Sequence, residues 1–274
     1  MKTRILNSLF QGTNFLFGLA LVVLIVVSVS LVIIRGIPQF GVSIHSPEIL
    51  FAIKLSLYTS LLSTLFCTII SIPVAYYLAR IKSNYTLLVN TVLDIPLALP
   101  PIVSGVALLL LFGTTEFGRT LSHMGLEFVF TVQGIILAQV FVNISYMIKI
   151  IYTSFISVSP RMEFVARGLG YNQLETFVKI TLPLARQGIL AAIIITWAKA
   201  LGEFGAALML AGATRLKTET LPLSLFLNMS TGELELAMAA ATILIVISVL
   251  SLLVFEFLGS EGIVLDRTGR NGGL

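Results

Sequence analysis

The chain has 274 residues, of which 57% are apolar and only 11% are charged, and its mean hydropathy is +1.02. Soluble domains carry about 25% charged residues, so this composition excludes a water-soluble globular protein and predicts a protein of the lipid bilayer. The formal net charge of +4 is expected to come from basic cytoplasmic loops, and we therefore expect no nucleic-acid partner.

Six apolar stretches are long enough to cross a membrane, because a spanning helix needs about 20 mostly apolar residues. They cover residues 5–34, 55–79, 87–112, 128–148, 188–210 and 236–255. Unpaired backbone cannot face lipid, and runs of this length without alternation of polar and apolar residues exclude a β-barrel. The sequence therefore predicts an all-α membrane protein with six transmembrane helices in a single domain over residues 1–274.

The basic residues outside these stretches indicate the orientation. With the N-terminus in the cytoplasm, the inner segments hold eleven Lys and Arg residues and the outer segments hold five. The positive-inside rule then predicts a multi-pass protein of the cytoplasmic membrane with both termini in the cytoplasm. The polar, glycine-rich tail over residues 259–274 is expected to be mobile.

The third stretch contains the sequence DIPLALPP. Its prolines interrupt the helical hydrogen bonds, so the freed carbonyl groups need neighbouring side chains or water. Two interpretations are open at this point. The helix either faces a transport pathway, with Asp94, Pro100 and Ser104 as candidate lining residues, or is simply kinked.

Polar side chains also occur inside the fourth and fifth stretches. Gln139 and Asn143 lie four residues apart and are expected to hydrogen-bond between helices. Lys199 and Glu203 have the same spacing, which predicts that they share one helix face. Because charged groups in a span usually face a partner or a watery cavity, two interpretations are open. The two residues either line an anion pathway together with Phe204 or form an ion pair that fixes helix packing or a dimer contact.

The segment between the fourth and fifth stretches is too polar to cross a membrane and too regular to be a slack loop. Ser159 and Pro160 predict a helix start, and Gly168 with Gly170 predicts where that helix stops. The sequence therefore predicts a short helix from about Pro160 to Arg167.

A second short helix is predicted directly afterwards. Asn172 and Glu175 have the spacing of a capping box, and Pro183 is expected to bend the chain back toward the fifth stretch. Short helices are marginal in water, so either the lipid headgroups or a protein partner should cover them.

This segment resembles the EAA loop of ABC importer permeases. Gly170, Ile180, Leu182 and Pro183 match the pattern G-x9-I-x-L-P, whereas the glutamate position of that loop holds Phe164 here. In the family, the helix before the glycine is a coupling helix that docks on a separate ATPase. The resemblance implies that the coupling loop, residues 158–188, contacts an ATPase through Pro160, Arg161, Met162, Glu163, Phe164, Val165, Ala166, Arg167, Gly170, Ile180, Leu182 and Pro183.

A second resemblance narrows the family. WAKALGEFGAALMLAG, which begins at Trp197, is similar to the ALGEFG segment of permeases for molybdate, tungstate and sulfate, and the resemblance covers a core of residues 54–257. It implies the type I ABC importer permease fold, assembled as a homodimer around a central pathway. It also implies an extracytoplasmic substrate-binding protein and a tetrahedral oxyanion as substrate, molybdate or tungstate first and sulfate or thiosulfate as the alternative.

Catalytic and metal-binding motifs are not found in the sequence. It contains no G-x4-G-K-[ST] loop, so ATP and Mg are expected on two partner ATPase subunits rather than on this chain. The single cysteine, Cys67, excludes an internal disulfide and a cysteine-based metal cluster, and we expect no enzymatic activity. An ATP-independent channel or secondary carrier is the rival hypothesis, and it would leave the coupling loop without a function.

Overall fold

The structure is a computed structural model that describes residues 2–43, 45–81 and 86–269. All regular structure in these ranges is helical, as predicted. The helices are α1 Lys2–Ser43, α2 Pro47–Arg80, α3 Thr86–Ala98, α4 Pro101–Thr114, α5 Glu116–His123, α6 Val132–Ser157, α7 Pro160–Gly168, α8 Gln173–Thr176, α9 Leu182–Leu201, α10 Gly205–Ala211, α11 Leu221–Ser230 and α12 Leu234–Gly269.

Five helical segments within the described ranges are long and apolar enough to cross a membrane. The predicted third span is not a single helix, because α3 and α4 meet at an angle of 107°. Pro100 and Pro101 lie at the junction, where proline removes an amide donor and clashes with the preceding turn. Counting this bent pair as one span gives the predicted six.

The fifth span begins much earlier than predicted. α8 continues through a π-helical turn, Phe177–Thr181, directly into α9, so the predicted second short helix is the beginning of the span. Pro183 does not divide the span into two bent helices, because residues Gln173–Leu201 form one continuous helical segment in which Pro183 follows the π turn at the start of α9. In the π turn, the amide of Leu182 donates to the carbonyl of Phe177, so the wider turn absorbs the interruption.

Short polar residues begin several of the helices. Ser46 caps α2, accepting from the amide of Ile49 at 3.1 Å, and Thr131 caps α6 in the same way. The predicted capping box of α8 is present, because Asn172 accepts from the amide of Glu175 and the Glu175 carboxylate accepts from the amide of Asn172. These side chains satisfy amides that a helix start leaves unpaired.

The bundle is organised around α2, α6 and α9. One apolar core joins their halves nearest α7 around Phe155, and a second joins α4, α6 and α10 around Leu210. α11 and α12 pack on the start of α2, while α1 packs on α12. α12 extends to Gly269, so the first part of the predicted tail is helical, and residues 270–274 lie outside the described residues.

Candidate functional site

α7 forms a separate element at one end of the bundle, as predicted. Ser159 caps it by accepting from the amide of Arg161 at 3.4 Å, and Pro160 occupies its first turn. After the helix, Gly170 has φ +96°, and the amide of Tyr171 donates back to the carbonyl of Ala166 at 3.2 Å. The positive φ turns the chain sharply toward α8, and glycine adopts this conformation without strain.

An exposed apolar patch covers this end of the molecule. Phe164 is 79% exposed and Leu169 is 78% exposed, although both side chains are large and apolar. We define the exposed apolar patch as the five most exposed large apolar side chains of residues 160–178, namely Met162, Phe164, Val165, Leu169 and Leu174. A clustered apolar surface on short helices marks an interaction site.

Two residues of the predicted coupling set do not belong to this surface. Glu163 is only 5% exposed and Ala166 is 4% exposed, and both face the chain's own bundle. Glu163 and Ala166 are three positions apart and therefore share one face of the helix. This face of α7 packs on the bundle. Ile180 and Leu182 are half-buried in the π turn and at the start of α9, whereas Pro160, Arg161, Arg167 and Pro183 are exposed.

Glu163 is held by side chains from two other elements. Its carboxylate accepts from Arg80 Nε at 2.8 Å and from Thr181 Oγ1 at 2.7 Å, and the Tyr76 hydroxyl lies 3.4 Å away. Burial raises the pKa of this carboxyl, but the hydrogen bonds from Arg80 and Thr181 outweigh burial and leave the pKa below its ordinary value. The stabilisation is therefore present at neutral pH and is lost as the pH falls through this lowered pKa.

Glu203 does not lie on a helix face with Lys199, contrary to the prediction. α9 ends at Leu201, and Glu203 lies in the break before α10, because Gly202 and Gly205 favour irregular backbone. Its carboxylate accepts from the amide of Ala206 at 2.9 Å. Glu203 therefore caps the first turn of α10, where it satisfies an amide that water cannot reach.

Lys199 has a different neighbour. Its ammonium group lies 5.1 Å from the ring centroid of Tyr146, a cation–π distance. Among the described ion pairs there is none between Lys199 and Glu203. The interpretation of these two residues as a mutual ion pair is therefore wrong, and Lys199 remains a candidate for the pathway.

The capping role of Glu203 predicts different outcomes for two substitutions. Glu203→Gln should leave folding almost unchanged, because the amide oxygen of glutamine can still accept from Ala206. Glu203→Ala should destabilise the protein by about 1–3 kcal/mol, the cost of a buried amide without a partner. The measurement is the thermal unfolding midpoint of the purified protein in detergent. Equal stability of the two variants would contradict the cap, whatever their transport activity.

The two interrupted spans meet each other. A Cβ atom added to Gly105 in α4 would lie 2.7 Å from the carbonyl oxygen of Ala206, and one added to Gly205 would lie 3.1 Å from Ile102. The α3–α4 bend therefore packs directly on the α9–α10 break. This contact brings three pathway candidates into one region, namely Pro100, Ser104 and Glu203.

The remaining pathway candidates have other surroundings. Asp94 forms an ion pair with Lys149 at 2.9 Å, a contact that the sequence analysis did not predict. The ring of Phe204 lies 5.4 Å from that of Phe226 in α11. The Ser104 hydroxyl is buried and has no hydrogen-bond partner among the described residues.

Gln139 confirms the predicted role in helix packing. Its amide nitrogen donates to the carbonyl of Ala200 at 2.9 Å and lies 3.3 Å from Thr59 Oγ1. This side chain joins α6 to α2 and to the end of α9, where the carbonyl of Ala200 also accepts from the amide of Glu203 at 3.2 Å. Asn143 instead bonds within α6, donating to the carbonyl of Gln139 at 2.8 Å.

Sequence reasoning missed three residues that hold α7. Arg80, Tyr76 and Thr181 surround Glu163, yet two of them lie more than 80 positions away in the chain. The only available signal was Arg80, a charged residue at the end of an apolar stretch. Within the described residues, no group of three or more His, Cys, Asp or Glu side chains could hold a metal ion.

Comparisons with known proteins agree with this architecture. Residues 68–260 match the family described as binding-protein-dependent transport system inner membrane component. The chain is 33% identical over 260 residues to a probable molybdenum ABC transporter permease protein of Haloferax volcanii, covering 94% of both chains. It is 29% identical over 225 residues to a sulfate transport system permease protein of Synechocystis, covering 82% of each.

A solved structure shares the fold. The crystal structure of a bacterial alginate ABC transporter, in complex with an alginate-bound periplasmic protein, superimposes with a TM-score of 0.69, covering 88% of this chain and 92% of that one at 18% identity. The chain therefore has the fold of type I ABC importer permeases. On the family match and the shared fold together, the chain belongs to the family of binding-protein-dependent transport system inner membrane components.

Proposed function

We propose that this ABC importer permease subunit carries a tetrahedral oxyanion, molybdate or tungstate, and is driven by a separate ATPase that docks on α7. The exposed apolar patch is the observation that supports ATPase docking on α7. Phe164 in this patch is 79% exposed, and its helix is too short to be stable alone. The substrate class is supported by the relatives named for molybdenum and sulfate transport.

The proposed assembly contains two copies of this chain around a central pathway, two ATPase subunits and one extracytoplasmic binding protein. Two-fold symmetry is the commonest arrangement of soluble oligomers, and it would place one ATPase on each α7. ATP and Mg belong to the ATPases, and this chain catalyses no reaction. Native mass measurement of the purified complex tests the stoichiometry, and a stable one-to-one complex would contradict it.

The proposed orientation places α7 and both termini in the cytoplasm. Exposed basic residues lie in α7, in the π turn and in the first turns of α9, which is the charge distribution expected on the cytoplasmic side. They are Arg161, Arg167, Lys179 and Arg186. Six spans, an even number, bring the two termini to the same side of the membrane.

Lys199 is proposed to attract the anion near the junction of the two interrupted spans. Its side chain is exposed in α9, and a cation in a narrow pathway raises the local concentration of an anion. Lys199→Met should lower oxyanion uptake while leaving ATPase docking intact, and the deficit should shrink as salt screens the charge. Uptake equal to that of the wild type at low ionic strength would remove Lys199 from the pathway.

Reconstitution tests the whole proposal. Proteoliposomes with the permease, its ATPase and the binding protein should accumulate labelled molybdate or tungstate only when ATP is present on the ATPase side. Uptake without the ATPase would instead support a channel or secondary carrier. Uptake of sulfate in preference to molybdate would support the alternative oxyanion, which the similarity to the Synechocystis sulfate permease favours.

A further inference from the structure

The carboxylate of Glu163 lies where four structural elements meet. It comes from α7, and its partners come from the end of α2 and from the π turn. The guanidinium of Arg80 also donates to the carbonyl of Phe155 at 3.1 Å and to that of Val158 at 3.2 Å, at the end of α6. One arginine thus joins α7 to the ends of two membrane-spanning helices.

Three donor atoms hold one oxygen of the Glu163 carboxylate in a fixed orientation. Arg80 Nε and one terminal nitrogen both lie 2.8 Å from Glu163 Oε1, and Thr181 Oγ1 lies 2.7 Å from the same oxygen. The side chains of Arg80 and Glu163 are 15% and 7% exposed. Charge-assisted hydrogen bonds of this length fix orientation, and water does not loosen a pair that is this deeply buried.

Apart from this ion pair, few residues of α7 pack against the bundle. Glu163 and Ala166 are the residues of the helix that are buried, and α7 is only nine residues long. A force applied at the exposed Phe164 could turn such a helix on its own axis without moving the bundle. The ion pair opposes that rotation because it lies on the opposite, buried side.

We propose that Arg80 and Glu163 are positioning residues for coupling: their ion pair makes α7 move as one body with the ends of α2 and α6 and with the π turn of the fifth span. The inference rests on the proposed docking of an ATPase on α7. It assigns Glu163 to transmission of movement rather than to contact with the ATPase. The ATPase binds the exposed side of α7, and the ion pair carries the displacement into the spans.

A double substitution separates transmission from folding. Replacing both partners of a buried ion pair by apolar residues often preserves folding, whereas removing one partner leaves an uncompensated charge. The variant with Arg80→Met and Glu163→Met should therefore insert normally and co-purify with the ATPase. Its ATP hydrolysis should no longer respond to the loaded binding protein, and uptake should fall at least about tenfold.

Milder variants keep the test informative if the double variant does not fold. Arg80→Lys keeps the charge but loses the planar fork, and Thr181→Val keeps the shape but removes one hydrogen bond to Glu163. Both should reduce stimulation by the loaded binding protein several-fold. The control is Glu116→Met with Arg119→Met, which removes an exposed ion pair of 2.6 Å in α5 and should leave stimulation unchanged.

Each outcome decides the proposal. Loss of stimulation with the ATPase still bound supports transmission. Normal stimulation in the folded Arg80 and Thr181 variants overturns it, because the pair would then be dispensable. Loss of ATPase binding also overturns it, since the pair would only shape the docking surface. If the wild-type permease itself binds no ATPase, the proposed function fails instead, and the two failures are thereby distinguished.

Discussion

Replacement of Phe164 by alanine is expected to weaken binding of the ATPase by about 1–3 kcal/mol, the cost of removing an aromatic anchor from the centre of an interface. Phe164 is 79% exposed in the isolated chain, so its ring contributes little to folding. The substitution should therefore leave insertion and thermal stability unchanged. Uptake should fall with ATPase occupancy, because about 1.4 kcal/mol corresponds to a tenfold change in the dissociation constant.

The measurement is a titration of detergent-purified permease with purified ATPase, followed by uptake into proteoliposomes. Phe17→Ala is the matched control, since Phe17 is 72% exposed but lies in α1, where lipid rather than a protein should cover it. An unchanged affinity for Phe164→Ala would move the docking surface away from α7. The covering of α7 by lipid headgroups would then be the better explanation of its apolar residues.

Gly170→Val is expected to abolish coupling through backbone strain. Gly170 has φ +96°, and no atom lies within 4 Å of the position of an added Cβ, so the cost does not come from a clash. A β-branched residue held in this region costs about 1–3 kcal/mol. The chain can relieve the strain by changing the angle between α7 and α8, which would tilt the exposed apolar patch relative to the membrane.

Gly168→Val provides the matched control for this prediction. Gly168 is the last residue of α7, it has open space around an added Cβ, and its φ is not positive. Both variants should insert into the membrane, but only Gly170→Val should lose uptake and the dependence of ATP hydrolysis on the loaded binding protein. Gly170→Asn should be intermediate, because asparagine tolerates the left-handed region better than other side chains do. Wild-type uptake by Gly170→Val would show that the angle of α7 does not control coupling.

Of the two interrupted spans, only the first interruption was predicted from the sequence. The DIPLALPP sequence predicts an interruption because proline acts on its own turn and the preceding one, and the structure confirms a bend between α3 and α4 of 107°. The break after Leu201 was not predicted, although Gly202 and Gly205 lie beside it. Glycine permits an irregular backbone without requiring one. Packing against α4 decides whether the helix continues or breaks after Leu201.

For the charged residues, too, local spacing alone did not predict the contacts that packing forms. The spacing of Lys199 and Glu203 predicts a shared helix face only if the helix continues, and it ends at Leu201. Glu163 was assigned to the ATPase contact because it lies in the short helix before Gly170, one position before the glutamate position of the loop pattern. In the structure it is buried against Arg80, which lies 83 positions earlier in the chain, and no local rule relates two such positions.

The sequence by itself determined the all-helical membrane architecture, the interruption in the third span, the start of α7 and the turn at Gly170. These features depend on hydropathy, capping and backbone sterics, which act over a few neighbouring residues. Only the tertiary structure decided that Glu163 faces inward, that Glu203 caps α10, and that the two interrupted spans meet. Each of these depends on which distant groups remain unsatisfied after the helices pack, and buried polar groups take whatever partner the packing brings within reach.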